Sequence, residues 1–498
     1  MYDGQQWILK RAQLTPDKKA LIEIETKRYW TYRQLTKEIE KWQRILCAHN
    51  IQIGDRVCMM SENNIDTFAV LFACGLQGAI FVPINWRLSE QEIVYVVTDC
   101  KPQLCIYEDT FASVVENLPV EHKWLLSEQL GDRTIQIYSF SSWQPTTPWL
   151  IIYTGGTTGH PKGAVLSIES VNWNAINTII SWNLTNEDCT INYMPLFHTG
   201  GINALAVPLL MAGGTVVVGK KFNAEIAARA LNEYHSTISL FVPTMYQEIV
   251  QTEYFQQAHF PTVKVFLSGG APCPQTIYET FHQKGLLFKE GYGLTEAGPN
   301  NFYIDPIQAM KKRGAVGKSM QFNQIRIVKA DGSLCAIGEV GELQLRGKHL
   351  FKEYWENEQA TKAAFSDGWF KTGDLARMDE QQDVYIVGRK KEMIISGGEN
   401  IYPQEVEQCI IQHPNVKEVA VIGIPDEYWG EIVTACIVCK QEVSDFEEEI
   451  RISCTEQLGK YKIPKKIFLL NELPRTTVGK IDKMKLKQLC IERDRIQI

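Results

Sequence analysis

The sequence predicts an α/β protein, with a large N-terminal domain of packed β-sheets and flanking helices and a small α+β C-terminal domain joined to it by a short hinge. Strand-like apolar runs alternate with stretches of helical spacing, as at Ile238–Val242, Val263–Leu267 and Ala420–Ile424. Such alternation is typical of sheets buried between helices. The chain also has 498 residues, which is more than one ordinary hydrophobic core holds.

The domain boundary is predicted near Val387–Lys391. The turn-rich segment Asp379–Asp383 closes the unit before it, and Ser444–Glu447 after it has the pattern of a capping box that opens a helix. No Pro/Ser-rich linker lies between the two units, which favours a short hinge over a long tether. We therefore predict domains at residues 1–388 and 389–498.

Composition excludes several classes of protein. A formal net charge of −7 argues against non-specific binding to nucleic acid. The N-terminal residues lack the pattern of a secretory signal peptide. The apolar segment Phe68–Pro83 predicts a helix followed by a buried strand rather than a transmembrane segment. The thirteen cysteines show no disulfide framework, and Cys436 and Cys439 fall in a strand-like run. A cytoplasmic location is therefore expected.

A glycine- and threonine-rich loop, Thr154–Gly163, follows the strand-like run Trp149–Tyr153. Glycines let backbone N–H groups approach an anion, threonine hydroxyls add donors that can also face a metal ion, and Lys162 adds a positive charge. This combination indicates a polyphosphate site.

A P-loop NTPase is the obvious alternative for such a loop. Its signature requires a glycine directly before the lysine and a serine or threonine after it, whereas Lys162 lies between Pro161 and Gly163. The better match at Gly317–Ser319 lacks the earlier glycine, because Lys312 occupies that position. The P-loop interpretation is weak.

The loop Tyr153–Gly163 resembles the signature loop of the acyl-adenylate-forming superfamily, which comprises acyl- and aryl-CoA synthetases, firefly luciferase and peptide-synthetase adenylation domains. Further segments resemble the motifs of this family in the same order along the chain: Pro195–Gly201, Gly291–Glu296, Phe370–Asp374, Gly388–Arg389, Ser396–Pro403 and Pro474–Lys480.

The resemblance implies an enzyme that uses ATP, CoA and Mg²⁺. A carboxylate would attack the α-phosphate of ATP to give acyl-AMP and pyrophosphate, and the thiol of CoA would then attack the acyl-AMP. The expected function is an AMP-forming carboxylic acid–CoA ligase for a fatty or aromatic acid.

The resemblance also implies an ATP site. Loop threonines and Lys162 would hold the β- and γ-phosphates, Tyr292 would stack on adenine opposite Ser268–Pro272, and Asp374 and Arg389 would contact the ribose. The residues implied are Thr154, Gly155, Gly156, Thr157, Thr158, Gly159, Lys162, Gly270, Ala271, Tyr292, Asp374 and Arg389.

Catalytic roles are implied for Lys480, Thr295, Glu296 and His198. Lys480 would bridge the attacking carboxylate and the α-phosphate, which Thr295 would also contact. Glu296, with Thr157, would hold the magnesium ion. The C-terminal domain would act as a mobile lid that rotates about Lys391, with Gly397 and Gly398 lining the pantetheine tunnel.

His198 would close the acid pocket beside the carboxylate. The pocket residues implied are His198, Asn203, Phe241, Thr244, Met245, Ala297 and Pro299. They are mainly apolar or small, as the tail of an apolar acid requires.

The chain departs from the family pattern at two positions, because Gly155 replaces a usual serine and Ile168 a frequent histidine. A stand-alone adenylating enzyme that loads a carrier protein is the main alternative, although Pro195–Gly201 offers no aspartate for an amino-acid substrate. A luciferase-like activity, an ATP-hydrolysing switch and a homodimer also stay open.

Overall fold

The computed structural model describes residues 6–130, 137, 144–155, 161–441, 446–476 and 480–496. Predictions for Gly156, Thr157, Thr158 and Gly159, and for the capping residue Ser444, lie outside these ranges. Among the described residues, no helix combines the length and the apolarity needed to cross a bilayer.

The strands of the described part are β1 Lys19–Glu23, β2 Tyr29–Thr31, β3 Arg56–Met60, β4 Ile80–Pro83, β5 Leu104–Tyr107, β6 His122–Leu125, β7 Pro148–Thr154, β8 Lys162–Ser167, β9 Cys189–Asn192, β10 Thr215–Val218, β11 Ile238–Phe241, β12 Val265–Ser268, β13 Phe288–Glu290, β14 Phe302–Tyr303, β15 Ala315–Ser319, β16 Gln324–Val328, β17 Gly341–Arg346, β18 Glu353–Tyr354, β19 Phe365–Ser366, β20 Trp369–Met378, β21 Val384–Arg389, β22 Ile394–Ser396, β23 Glu399–Ile401, β24 Val416–Asp426, β25 Gly430–Cys439 and β26 Lys466–Leu469.

The helices are α1 Trp7–Leu14, α2 Tyr32–Ala48, α3 Asp66–Gln77, α4 Glu90–Cys100, α5 Ala112–Glu116, α6 Ile168–Trp182, α7 Ala206–Ala212, α8 Ala224–Glu233, α9 Pro243–Ile249, α10 Glu253–Gln257, α11 Gln275–Gln283, α12 Pro306–Lys311, α13 Glu358–Ala364, α14 Pro403–Ile410, α15 Phe446–Gln457 and α16 Lys483–Ile496. A π-helical turn covers Gly200–Ala204, and short 3₁₀ turns cover Thr295–Ala297 and Lys390–Glu392.

The larger part of the chain holds four sheets. One runs in the order β18-β8-β7-β4-β3-β5-β6, a second β2-β1-β10-β9, a third β11-β12-β13, and a fourth β14-β15-β21-β20-β17-β16 with β19 beside β20. Neighbouring strands from β7 to β6 in the first sheet are parallel, as are those of the third. Loops at the carboxyl ends of parallel strands gather at one edge of a sheet, where ligands of open α/β sheets bind.

The segment Phe68–Pro83 forms a helix followed by a buried strand, as the sequence predicts. Helix α3 is buried along almost its whole length and ends at Gly78, whose φ of 88° is a left-handed conformation that favours glycine. Strand β4 follows and is fully buried. The apolarity of this segment therefore reflects a core position.

An aromatic cluster supports the third sheet. The Tyr246 ring lies 5.3 Å from that of Phe281 and 5.1 Å from that of Phe288, and the Phe266 and Phe281 rings are 4.8 Å apart. The Tyr246 hydroxyl donates to the carbonyl of Leu267 at 2.8 Å. The cluster thus fixes the strand that leads into the predicted adenine-binding loop.

The smaller part is a sheet in the order β23-β22-β25-β24, with β26 beside β25. Helices α14 and α15 cover one face and α16 the other. Cys436 is buried on β25 and its sulfur lies 3.3 Å from that of Cys490 on α16, so it packs against a helix, away from Cys439. Within the described ranges, no cluster of His, Cys, Asp or Glu has the arrangement of a metal site.

We predict that Phe281→Ala lowers the free energy of unfolding by about 3–5 kcal/mol, because it leaves a cavity in the aromatic cluster. Leu14→Ala is the control, since Leu14 is 71% exposed. This substitution should change the free energy of unfolding by less than about 0.5 kcal/mol. Urea unfolding followed by fluorescence measures both. Equal effects of the two substitutions would contradict the role of the cluster.

Candidate active site

The base of the predicted phosphate loop is an antiparallel hairpin. Strands β7 and β8 pair so that Thr154 lies opposite Lys162, and the Thr154 hydroxyl donates to the Lys162 carbonyl at 3.4 Å. Gly155 has open space where a side chain would be. The structure therefore brings three of the predicted ATP-binding residues to the carboxyl end of β7.

Lys162 and Glu296 are linked by a tyrosine that the motifs do not include. The Tyr354 hydroxyl donates to Glu296 Oε1 at 2.8 Å, and the Lys162 ammonium lies 5.4 Å from the centre of the Tyr354 ring. The backbone N–H of Phe351 donates to the Glu296 carbonyl at 2.7 Å. The predicted phosphate and metal residues thus lie on either side of one aromatic side chain.

The two predicted walls of the adenine site lie at one edge of the third sheet. Ser268 on β12 is in register with Glu290 on β13, so Gly270 and Ala271, which follow β12, lie beside Tyr292, which follows β13. Gly270 has φ of 83°, and both loop residues are exposed. The pairing of the strands therefore places the predicted walls next to each other.

Glu290 anchors the first of these walls and was not predicted. Its Oε1 accepts a hydrogen bond from the backbone N–H of Cys273 at 3.0 Å. Burial raises the pKa of Glu290 to about 7. The sequence signal for this contact is the position of Glu290, directly before Gly291 at the end of a strand.

Asp374 lies at the centre of a polar cluster. It is 4% exposed, and it accepts from the Tyr292 hydroxyl and from Arg389 Nε, the latter at 2.9 Å. Burial raises the pKa of Asp374, although Arg389 acts in the opposite direction. Thr372 supports the turn by accepting from the Asp374 N–H at 3.0 Å. Each carboxylate oxygen has capacity for a further donor.

The segment predicted to form the acid pocket is held by buried amides. The Asn192 side chain donates to the Gly201 carbonyl at 2.8 Å, and the Asn174 side chain donates to the Asn203 carbonyl at 2.7 Å. Asn203 itself donates to Thr199 Oγ1 at 3.1 Å. These bonds fix the π-helical turn that follows His198.

The other predicted pocket residues differ in their exposure to solvent. Ala297 is buried, and Thr244, Met245 and Pro299 are partly exposed. Phe241 is fully buried against the ring of Tyr246, at 5.4 Å, in the aromatic cluster.

Leu240, the neighbour of Phe241 on β11, borders a small void together with Met194 and Gly200. Successive side chains of a strand point to opposite faces. Leu240, rather than Phe241, therefore faces the His198 segment.

His198 is partly exposed, and its Nδ1 accepts from the Gly200 N–H at 3.1 Å. This bond leaves the proton of the neutral ring on Nε2. Desolvation, followed by the positive charge of Lys480, lowers the pKa of His198 to about 4. The imidazole is therefore neutral at physiological pH.

Lys480 of the smaller part faces the same cluster. Although its side chain is exposed to solvent, the pKa of its ammonium is lowered, first by desolvation and then by the charge of Arg389. Asp374, Glu296 and Glu392 act on it in the opposite direction. Lys480 therefore lies among the charged residues of the larger part, although residues 477–479 before it lie outside the described ranges.

The predicted CoA and hinge residues lie on the smaller part. Gly397 and Gly398 form the two-residue turn between β22 and β23, with φ of 60° and 86°, as a type I′ hairpin turn requires. Arg389 is the last residue of β21 and pairs with Asp374. The exposed Lys391 follows in a 3₁₀ turn.

Comparison with known proteins identifies the family of the chain. The AMP-binding enzyme family matches residues 8–355, and the AMP-binding enzyme C-terminal domain matches residues 405–480. The chain belongs to the AMP-binding enzyme family. The predicted superfamily and fold class are thus confirmed, whereas the boundary at 388/389 stays a prediction because it falls between the two matches.

Relatives of this AMP-binding enzyme match over nearly their full length. An indoleacetate–CoA ligase of Aromatoleum aromaticum is 35% identical, covering 98% of each chain. The long-chain-fatty-acid–CoA ligase FadD13 of Mycobacterium tuberculosis is 33% identical, covering 97% of each. The o-succinylbenzoate CoA synthetase MenE of Bacillus subtilis, solved with its acyl-adenylate intermediate, has a TM-score of 0.88 and 31% identity over 97% of this chain and 98% of that one.

We predict that His198 remains neutral from pH 8 to about pH 5 and titrates near pH 4 in the folded protein. Since its folded pKa is below the unfolded value of about 6.5, the stability that the neutral ring provides is present above pH 6.5 and is lost as the pH falls toward 4. Histidine ¹⁵N NMR, assigned with His198→Asn, measures this. A midpoint at or above pH 6 would contradict it.

Proposed function

We propose that this chain is an ATP-dependent carboxylic acid–CoA ligase, which forms acyl-AMP and pyrophosphate and then acyl-CoA. The observation that carries the proposal is that the charges of Asp374, Arg389 and Glu296 act on the ammonium of Lys480, which belongs to the smaller part. A cation that enters from a separate domain suits a reaction in which two anions must meet. The relatives named above, which are CoA ligases for aromatic and fatty acids, support the same reaction.

The adenylation step would use the residues of both parts. Thr154 and Lys162, with the loop that they flank, would hold the β- and γ-phosphates, and Asp374 would accept from the ribose hydroxyls. Lys480 would lie between the acid and the α-phosphate, where it neutralises the charge that opposes attack. His198, neutral and donating from Nε2, would close the pocket beside the acid carboxylate.

The residues at Glu296 fit a magnesium ion. Tyr354 occupies Oε1, whereas Oε2 has no hydrogen-bond or ion-pair partner among the described residues. Magnesium binds oxygen ligands and is commonly held by one or two carboxylates together with substrate phosphates. When bound, the ion would neutralise charge on the triphosphate. A MenE structure from Bacillus subtilis, 31% identical, contains ATP and a magnesium ion.

The second step would use free CoA, with Gly397 and Gly398 at the pantetheine arm after rotation about Lys391. The acid remains open between aromatic and fatty classes, because relatives of both classes match equally fully. A cytoplasmic location, a homodimer and the domain boundary at 388/389 stay predictions.

We predict acid-dependent exchange of pyrophosphate into ATP, because a reversible adenylation step returns label only when an acid is present. The panel is indole-3-acetate, ferulate, 2-succinylbenzoate and hexadecanoate, each tested with and without CoA. CoA should convert the active acid to its thioester, with AMP as the nucleotide product. Release of phosphate without acid, or a requirement for a carrier protein instead of CoA, would contradict the proposal.

We predict that Lys480→Ala lowers the rate of adenylation by about 10²–10³-fold, because it removes a preorganised charge from the transition state. Thioester formation from supplied acyl-AMP should change little. Lys485→Ala is the control, since Lys485 is an exposed lysine of the same domain. Stopped-flow measurement of each half-reaction distinguishes the steps, and equal losses in both would exclude the proposed role.

A further inference from the structure

Tyr354 joins two charged groups of the proposed site. Its hydroxyl donates to Glu296 Oε1 at 2.8 Å, and its ring centre lies 5.4 Å from the Lys162 ammonium. A cation at this distance from the face of an aromatic ring is attracted to it. One side chain thus contacts both the carboxylate that faces the metal and the lysine at the end of the phosphate loop.

The backbone around Tyr354 is fixed from both sides. Strand β18 pairs with β8, so that Tyr354 lies opposite Ala164 and Glu353 opposite Val165. The N–H of Trp355 donates to the Gly163 carbonyl at 2.7 Å, and the N–H of Tyr354 donates to Thr361 Oγ1 at 2.9 Å. The backbone of Tyr354 therefore has a defined position relative to β8, the strand that follows the phosphate loop.

The hydroxyl of Tyr354 can only act as a donor toward Glu296. A phenolic hydroxyl ordinarily titrates at about pH 10 and so carries its proton at neutral pH. A carboxylate accepts but does not donate. The bond orients the carboxylate by its Oε1 and turns Oε2 away from the tyrosine.

We propose that Tyr354 is a positioning residue for the metal–nucleotide complex: it holds Glu296 so that Oε2 meets the divalent cation, while its ring holds Lys162 toward the phosphates. The inference rests on the proposed function, in which Glu296 binds the magnesium ion of Mg·ATP. Two parts of the Tyr354 side chain thus have separate effects. The hydroxyl affects metal binding through Glu296, and the ring affects phosphate binding through Lys162.

The test is ATP binding measured by calorimetry, once with Mg²⁺ and once with EDTA. Tyr354→Phe removes the hydroxyl and keeps the ring, so the gain in affinity that Mg²⁺ provides should fall about tenfold, as expected for a lost hydrogen bond to a charged group. Binding of metal-free ATP should stay within about twofold. Tyr354→Leu should in addition weaken metal-free binding by about two- to fivefold, because it also removes the cation–π contact.

Two further variants complete the test. Tyr385→Phe is the matched control, because the Tyr385 hydroxyl lies 3.5 Å from Asp379 Oδ2, outside the proposed site. This variant should bind ATP as the unmodified chain does, with and without Mg²⁺. Glu296→Gln should abolish most of the Mg²⁺-dependent gain. A thermal melt of every variant checks folding.

The outcomes separate the two proposals. If Glu296→Gln abolishes the Mg²⁺-dependent gain but Tyr354→Phe leaves it unchanged, or weakens binding equally with and without Mg²⁺, then Tyr354 is only structural and the proposed function stands. If the unmodified chain shows no Mg²⁺-dependent gain, the metal role of Glu296 and the inference on Tyr354 are both overturned.

Discussion

The ion pair between Arg389 and Asp374 lies where the larger part of the chain meets the smaller one. A carboxylate as buried as Asp374 needs compensating partners, and it has two, Arg389 and the Tyr292 hydroxyl. Because Arg389 ends β21, the ion pair ties the end of this strand to Tyr292, the predicted aromatic wall of the adenine site. The proposed rotation about Lys391 would therefore begin after Arg389, where the turn Lys390–Glu392 has no buried side chain.

The site forms because separate sheets each deliver one part of it. The first sheet brings Thr154 and Lys162, which are predicted to hold the phosphates, and the third brings Gly270 and Tyr292, which are predicted to hold the base. The fourth sheet brings Asp374 on β20, next to Arg389 on β21. The arrangement depends on packing between sheets, and the aromatic cluster contributes to it by supporting β12.

The motifs predicted those site residues that lie together within one short segment of the sequence. They predicted few of the contacts that depend on packing between distant segments. Phe241 is predicted in the acid pocket, and in the structure it packs against Tyr246, whereas Leu240 borders the small void beside the His198 segment. Both residues lie in an apolar strand between two hydrophobic clusters, so the pattern did not reveal which face meets the pocket. Tyr354 is 58 residues from Glu296, and the pairing of β18 with β8 and the bond from the Phe351 N–H to the Glu296 carbonyl bring the two together. Sequence spacing carries no signal for such a contact. The threonines 157 and 158 stay predictions, since they lie outside the described residues.

The charges around Lys480 explain how the same residues can serve before and after the nucleotide binds. Asp374, Glu296 and Glu392 attract the ammonium, while Arg389 repels it. In the proposed complex the ribose would approach Asp374 and the cation would approach Glu296, so two of the attracting carboxylates would gain new partners as the phosphates arrive. The ammonium of Lys480 would then exchange its attraction to these carboxylates for attraction to the phosphates.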